Sequence, residues 1–313
     1  MLWKKRRKKK HKMKIVGIIA SAILKVTSAA GHPWTLRTPP SSNTFVSIAY
    51  GGGRFIAVGG STSTAISNDG ITWTTGSIPS SGNNAITYGA SKFVVMSSTG
   101  LGRFSSGVAH SSSDGVTWVQ SDEIDKAVAV VYGGSVFVAV LSDNFVITSP
   151  DGVAWTQQSV PSHQSWGAVA YGNGVFVAVA SGGAVQIMTS PNGITWTNRT
   201  GSLSQLWTSV AYGAGLFVAV SQGSPSGVMT SPDGITWTTR TAVNAQWFSV
   251  TYGNGLFVAV GWGLNVITST DGITWVTRSA ASNAQWWGVA YGGDKFAAVG
   301  YPASGSERIM TAP

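Results

Sequence analysis

Trp207-Thr208-Ser209-Val210-Ala211-Tyr212-Gly213, then Leu216-Phe217-Val218-Ala219-Val220, then Val228-Met229-Thr230-Ser231-Pro232-Asp233-Gly234-Ile235-Thr236-Trp237, make one unit of sequence that this chain repeats. The Tyr-Gly pair recurs at Tyr50, Tyr88, Tyr132, Tyr171, Tyr212, Tyr252 and Tyr291. Five residues after each Tyr stands a Phe: Phe55, Phe93, Phe137, Phe176, Phe217, Phe257 and Phe296. A Trp closes each unit, at Trp34, Trp73, Trp118, Trp155, Trp196, Trp237 and Trp275. A fixed period of about 40 residues with several short strands per unit marks a β-propeller, because one unit cannot bury its apolar faces alone.

Each unit reads as four strands. Trp207–Gly213 is innermost, followed by Leu216–Val220, Val228–Ser231 and Ile235–Arg240. Runs such as Leu216–Val220 are apolar on both faces, which suits strands sandwiched between neighbouring blades. Asn173-Gly174, Ala214-Gly215 and Asn254-Gly255 fit tight hairpins between the first two strands, where both residues take positive φ. The Ser-Pro-Asp-Gly turn joins strands three and four. Its Asp bonds its own backbone, its Gly takes the strained position, and the following Trp packs over it.

The two ends of the chain complete each other. Arg308-Ile309-Met310-Thr311 matches the third strand and stops before the Asp-Gly turn. Gly31–Thr38 aligns with Gly234–Thr241, the missing fourth strand. The expected fold is therefore all-β: a seven-bladed β-propeller of four-stranded blades over residues 31–313. Its last blade is closed by the N-terminal strand, and a basic and apolar N-terminal arm over residues 1–30 precedes it.

The turn Ser231-Pro232-Asp233-Gly234-Ile235-Thr236-Trp237, repeated at Ser149–Trp155 and Ser269–Trp275 and with Asn192 for Asp at Ser190–Trp196, resembles the Asp-box of sialidase-like (BNR) propellers. Here it is one residue shorter before the Gly. The resemblance covers residues 31–313 and implies a propeller. It implies no activity, because the Asp-box is structural in that family. Similar repeats occur in uncharacterised bacterial and bacteriophage proteins.

Composition narrows the chemistry. The chain has no Cys, so it has no disulfide, no thiolate metal site and no Cys nucleophile. The formal charge of +9 is concentrated in the arm. Nine of the twenty basic residues lie in the first fourteen positions, including Lys4, Lys5, Arg6, Arg7, Lys8, Lys9 and Lys10. The remainder carries eleven basic and eleven acidic residues and has no strong pull on nucleic acid. After the basic run come the apolar stretch Ile15–Leu24 and the small residues Ser28 and Ala30. Two readings of the arm stand level: a secretory signal peptide cleaved before Gly31, or an uncleaved anchor that docks on another subunit. A nucleic-acid arm is a third.

Catalysis is not expected. A glycosidase needs two carboxylates across a sugar. Only Glu123 and Glu307 are Glu, and Asp69, Asp114, Asp151, Asp233 and Asp271 all belong to turns. Asp122, Asp125, Asp143 and Asp294 read as scattered. Arg37, Arg199, Arg240 and Arg278 fall three residues after the blade Trp, on outer strands. His110 and His163 read as loop residues, with no metal-ligand spacing among the four His. No metal and no cofactor is expected.

The candidate site is aromatic. Five residues before the repeated Tyr stand Phe45, Trp166, Trp207, Trp247 and Trp286, with Asn83 and Ala127 in the other two units. These side chains open the innermost strands and are expected to ring one mouth of the central channel. The loops between strands two and three emerge on the same face and carry Phe104, Phe145, Trp262 and Tyr301. Aromatics beside the amides of Gln164, Gln205, Gln246 and Gln285 suit a sugar ring or a protein partner. The same strand-opening Trp residues also suit packing between blades. Trp262 and Tyr301 break the repeat, so packing alone does not require them.

The expected function is a non-enzymatic binding or structural propeller, in its most concrete form a bacteriophage virion component such as a capsid decoration or tail-associated protein. Its arm would hold it to virion subunits, and a surface glycan would bind the loop face. The alternative is a secreted or periplasmic propeller that binds glycan or protein. A glycan hydrolase or lyase is the reading that the carboxylate count opposes.

Overall fold

The computed structural model describes residues 33–313, apart from 99–105, 142–144, 185, 224–226 and 303–307. The N-terminal arm, with Lys4 to Lys10, lies outside the described residues, as do Phe104, Asp143 and Glu307. No helix among the described residues is long and apolar enough to cross a membrane.

The regular blade is a four-stranded antiparallel meander. Trp207–Gly213 pairs with Leu216–Ser221, then with Val228–Ser231 and Thr238–Arg240 in turn. The hairpin that starts it turns at Ala214 (φ 47°) and Gly215 (φ 79°), the backbone that a tight right-twisted hairpin demands. Tyr212 lies opposite Phe217 in the register, and their rings sit 4.7 Å apart. Phe217 and Val218 are fully buried, each contributing about 1.5–3 kcal/mol of hydrophobic stabilisation.

The expectation of seven blades is corrected to six. The described strands form six sheets, five of them four-stranded and one six-stranded. The last two units of sequence share the six-stranded sheet. Two long strands unite them, Leu256–Ser269 and Val276–Gly292, each of which runs through what the repeat divides into two strands. Local pairing explains the merger. Trp262 pairs with Gln285, Gly263 with Ala284 and Asn265 with Ser279. On the other side Ala284 pairs with Pro302, Gln285 with Tyr301 and Trp286 with Gly300. Backbone hydrogen bonds thus continue where described residues of other blades, such as 159–165 and 200–206, form no strand.

The ring closes within that sheet. Thr35–Arg37 lies antiparallel to Ile309–Ala312, with Thr35 opposite Thr311 and Arg37 opposite Ile309. Arg37 Nε also donates to Thr311 Oγ1 at 2.7 Å.

A collar of tyrosines joins successive units around the axis. The ring of Tyr212 lies against Gly172, Tyr252 against Gly213, Tyr291 against Gly253, and Tyr50 against Gly292 across the closure. A Cβ at any of these glycines would overlap the ring, so the sequence needs Gly there to let the next unit approach.

Candidate partner-binding face

The strand-opening aromatics are core residues in this structure. Phe45, Trp207, Trp247 and Trp286 have no exposed surface, and Trp166 has 2%. Each wedges between its own unit of sequence and the preceding one: Trp207 among Val177 and Val179, Trp247 among Val218 and Val220, Trp286 among Val258 and Val260. The indole N–H groups of Trp166, Trp207 and Trp247 have no hydrogen-bond partner there, an exception to the pairing that a buried Trp usually finds. Burial therefore keeps the five from forming an open aromatic ring at the channel mouth.

Trp262 and Tyr301 stand apart from these five, each 53% exposed. Both lie where the merged sheet extends beyond the regular blades. Trp262 and Tyr301 are the direct cross-strand partners of Gln285, from either side. Directly opposed residues share a sheet face, so the three form one row. Gly261 and Gly300 help set this row. A Cβ at either would overlap the carbonyl oxygen of Gln246 or Gln285, so their absent side chains admit the neighbouring backbone.

The channel mouth holds aromatics that the repeat concealed. A β-bulge interrupts six of the inner strand segments, and the extra residue is Asn84, Val128, Gly167, Thr208, Phe248 or Trp287. Bulges re-aim side chains. These six all line a central cavity of about 200 Å³, with Val46 completing the circuit. Phe248 and Trp287 stack with centroids 4.3 Å apart and planes 8° off parallel. Trp287 is still 36% exposed. The doublets Trp247-Phe248 and Trp286-Trp287 were the available signal, against Trp207-Thr208 and Trp166-Gly167 in plainer units. Much of the remaining polarity serves the ring itself. The hydroxyls of Ser47, Ser209 and Ser249 accept from the backbone N–H of Ile86, Val250 and Val289 in the next unit. Thr208 donates to the Trp247 carbonyl at 2.7 Å.

The turn acids hold backbone. Asp233 Oδ1 accepts from Ile235 N at 2.8 Å, Thr236 N at 2.9 Å and Ser231 Oγ at 2.9 Å. Asn192 does the same with Ile194, Thr195 and Ser190. Backbone N–H groups of Ile71 and Thr72 hold the Asp69 carboxyl at about 2, burial opposing them. The Asp114 carboxyl is held well below its ordinary value by the N–H groups of Thr117 and Val116. Trp237 Nε1 donates to the Gly234 carbonyl at 2.9 Å, sealing the turn as the sequence suggests. The outer arginines are also spent: Arg199 and Arg240 each donate to a threonine hydroxyl on the adjacent strand at 2.9 Å.

His110 corrects the loop reading. It lies on the strand Ser106–Ser112 and is fully buried. Its Nδ1 meets Ser97 Oγ at 3.2 Å, and Ser97 donates to Asn83 Oδ1 at 2.6 Å. Asn83 occupies a strand-opening position, so this polar network fills the place of the wedge Trp. Burial pushes the imidazole below its ordinary value, with Gln120 acting in the opposite sense. Asp125, read as scattered, has Glu123 beside it. The two lie two residues apart on the strand Val119–Asp125 and line a peripheral cleft of about 410 Å³ beside Trp155. No group of three metal-ligating side chains occurs among the described residues.

No protein-family model matches the chain, and no curated protein matches it. Solved structures do. A structure of YCF48 bound to D1 peptide superposes with a TM-score of 0.66 at 13% identity, covering 90% of this chain and 94% of that one. YCF48 from Cyanidioschyzon merolae gives 0.66 at 15%, covering 90% and 98%. The WD40 β-propeller domain of Doa1 gives 0.67 at 11%, covering 90% and 96%. At these identities the likeness shows the fold alone: the chain is a β-propeller with four-stranded blades.

Proposed function

We propose that this chain is a non-enzymatic binding and structural propeller whose partner docks on the raised aromatic end of the six-stranded sheet. One observation carries the reading. Trp262 and Tyr301 are each 53% exposed, whereas the strand-opening aromatics are 2% exposed or less. Large aromatics left open on a rigid sheet anchor partners at little entropic cost. The turn acids, held by backbone N–H groups, serve the fold and not a reaction. The YCF48 structure with its peptide is an instance of a propeller as a binding scaffold. The double variant W262A/Y301A tests the proposal: it is expected to melt like the parent and to lose partner binding. Undiminished binding by a folded double variant would move the recognition surface elsewhere.

The finer form of this proposal is a bacteriophage virion component, with the propeller outward and the arm as anchor. The concentration of positive charge in residues 1–14 supports the anchor. N-terminal sequencing of the mature protein separates it from a secreted or periplasmic propeller. An intact Met1 supports the anchor, and a start near Gly31 supports secretion.

A further inference from the structure

We infer that the raised end of the merged sheet and the adjoining channel mouth form a binding site for a neutral saccharide, with sugar rings laid on Trp262 and Tyr301 and a terminal ring against Trp287. This rests on the proposed binding face and names its ligand class. The five residues concerned are Phe248, Trp262, Gln285, Trp287 and Tyr301.

Their chemistry matches a pyranose. A sugar ring has faces of C–H bonds and a rim of hydroxyls. Exposed indole and phenol rings offer flat π-faces to the first. The Gln285 amide, set between Trp262 and Tyr301 in the register, has both a donor and an acceptor for the second. Trp262 and Tyr301 are two strand spacings apart, about 10 Å. That span fits alternate rings of an oligosaccharide, with one ring between them, better than one ring. Trp287 has one face covered by Phe248 and keeps 36% of its surface open. The mouth cavity, about 200 Å³, lies below the roughly 300–1,000 Å³ of common small-molecule pockets. It therefore accepts a single ring and not a folded chain.

Charge selects among saccharides. None of the five residues is acidic or basic, and none of the described residues that line the channel is acidic or basic. A sialic or uronic acid needs a cation for its carboxylate, and Arg37, Arg199, Arg240 and Arg278 instead donate to threonines of neighbouring strands. Nucleic acid is disfavoured for the same reason. A peptide added as a strand would need free backbone groups, and Gln285 is already paired on both sides.

The test uses the full chain on arrays of neutral oligosaccharides, sialylated and uronic acid oligosaccharides, and peptides. Hits are then titrated by calorimetry at low and high salt. The expected result is binding of neutral oligosaccharides that salt leaves unchanged, weakened by about tenfold or more in W262A and in Y301A. Trp287→Ala is expected to remove the preference for one terminal sugar, and W262F to retain most of the binding. Thermal melts confirm that each variant is folded. Binding of acidic sugars or peptides alone, lost in W262A/Y301A, would overturn the saccharide assignment and sustain the binding face. Neutral-sugar binding that survives in the folded double variant would overturn both. Absence of any saccharide binding would overturn the ligand class.

Discussion

The regular blade from Trp207 to Arg240 and the merged sheet from Trp247 to Ala312 derive from the same unit of sequence and differ in one place. In the regular blade the hydrogen-bond ladder between strands one and two ends where Trp207 lies opposite Ser221. In the merged sheet the first such ladder likewise ends where Trp247 lies opposite Gly261, but the second runs on past Gly300 through Gln285–Tyr301 and Ala284–Pro302, and Trp262 pairs with Gln285 from the other side. Below that level the two are alike, with the same Tyr–Phe pairs, the same wedge Trp and the same Asp turn. Above it the described residues 200–206 of the regular blade form no strand, and the merged sheet is ordered strand bearing exposed aromatics. The lesson is that the repeat builds the ring, and departures from it build the surface on which function is expected.

The largest effect should come from removing the strand that finishes the merged sheet. Deleting residues 33–38 takes away the partner of Ile309–Ala312 and the buried Trp34. An exposed sheet edge templates aggregation. A markedly lower melting temperature and poor solubility are expected, and a deletion that melts like the parent would refute the closure.

Next come the wedges. Trp207→Ala and Trp286→Ala are each expected to cost about 3–5 kcal/mol in denaturant unfolding, as large core truncations do. Equal losses would show that both regions rest on the same packing. A small loss at Trp286 alone would show that the merged sheet is held by its longer ladders instead.

A smaller effect is expected at the turns. Asp233→Ala should cost about 1 kcal/mol through lost hydrogen bonds, less with solvent screening. Asp233→Asn should be close to neutral, because Asn192 already holds the same turn. The pH dependence follows from Asp69. Its folded value of about 2 lies below the ordinary 3.8, so its contribution is present above pH 3.8 and is lost as pH falls through about 2. Asp69→Asn should flatten that part of an acid titration of the melting temperature. His110 acts in a higher window. Its folded value is lowered, so the unfolded chain binds the proton more readily and stability falls as pH drops below about 6.5.

The smallest effect on stability, and the largest on binding, is expected at Trp262 and Tyr301. Each change to Ala should stay within about 0.5 kcal/mol, as at other exposed positions. A large loss of stability in either would make the raised end part of the core and remove the contrast between the two regions.

Much of this was legible in the chain. The unit boundaries, the strand order, the Ala214-Gly215 type of hairpin and the pairing of Thr35–Arg37 with Ile309–Ala312 follow from repeated residues whose roles are local. The sheet count does not. Ala242-Val243-Asn244-Ala245-Gln246 and Ala281-Ser282-Asn283-Ala284-Gln285 have similar compositions, yet only the second is strand. Ala284 and Gln285 gain pairing partners in Trp262, Gly263, Tyr301 and Pro302, which no local propensity encodes. The proposed site was half legible. Trp262 and Tyr301 stood out by breaking the pattern. Phe248 and Trp287 were hidden because the bulges that aim them at the channel are set by backbone pairing and not by the repeated residues.

The closing strand also sets a clock on biosynthesis. Arg37 and its partner Thr311 are separated by 274 positions. At roughly 5–20 residues per second, a ribosome needs about 14–55 s to travel from one to the other. Throughout that interval the first strand has been made and its mate has not. The growing protein must therefore carry an unsatisfied seam throughout that interval, and anything that stalls the ribosome before Thr311 lengthens the time during which that seam can find the wrong neighbour.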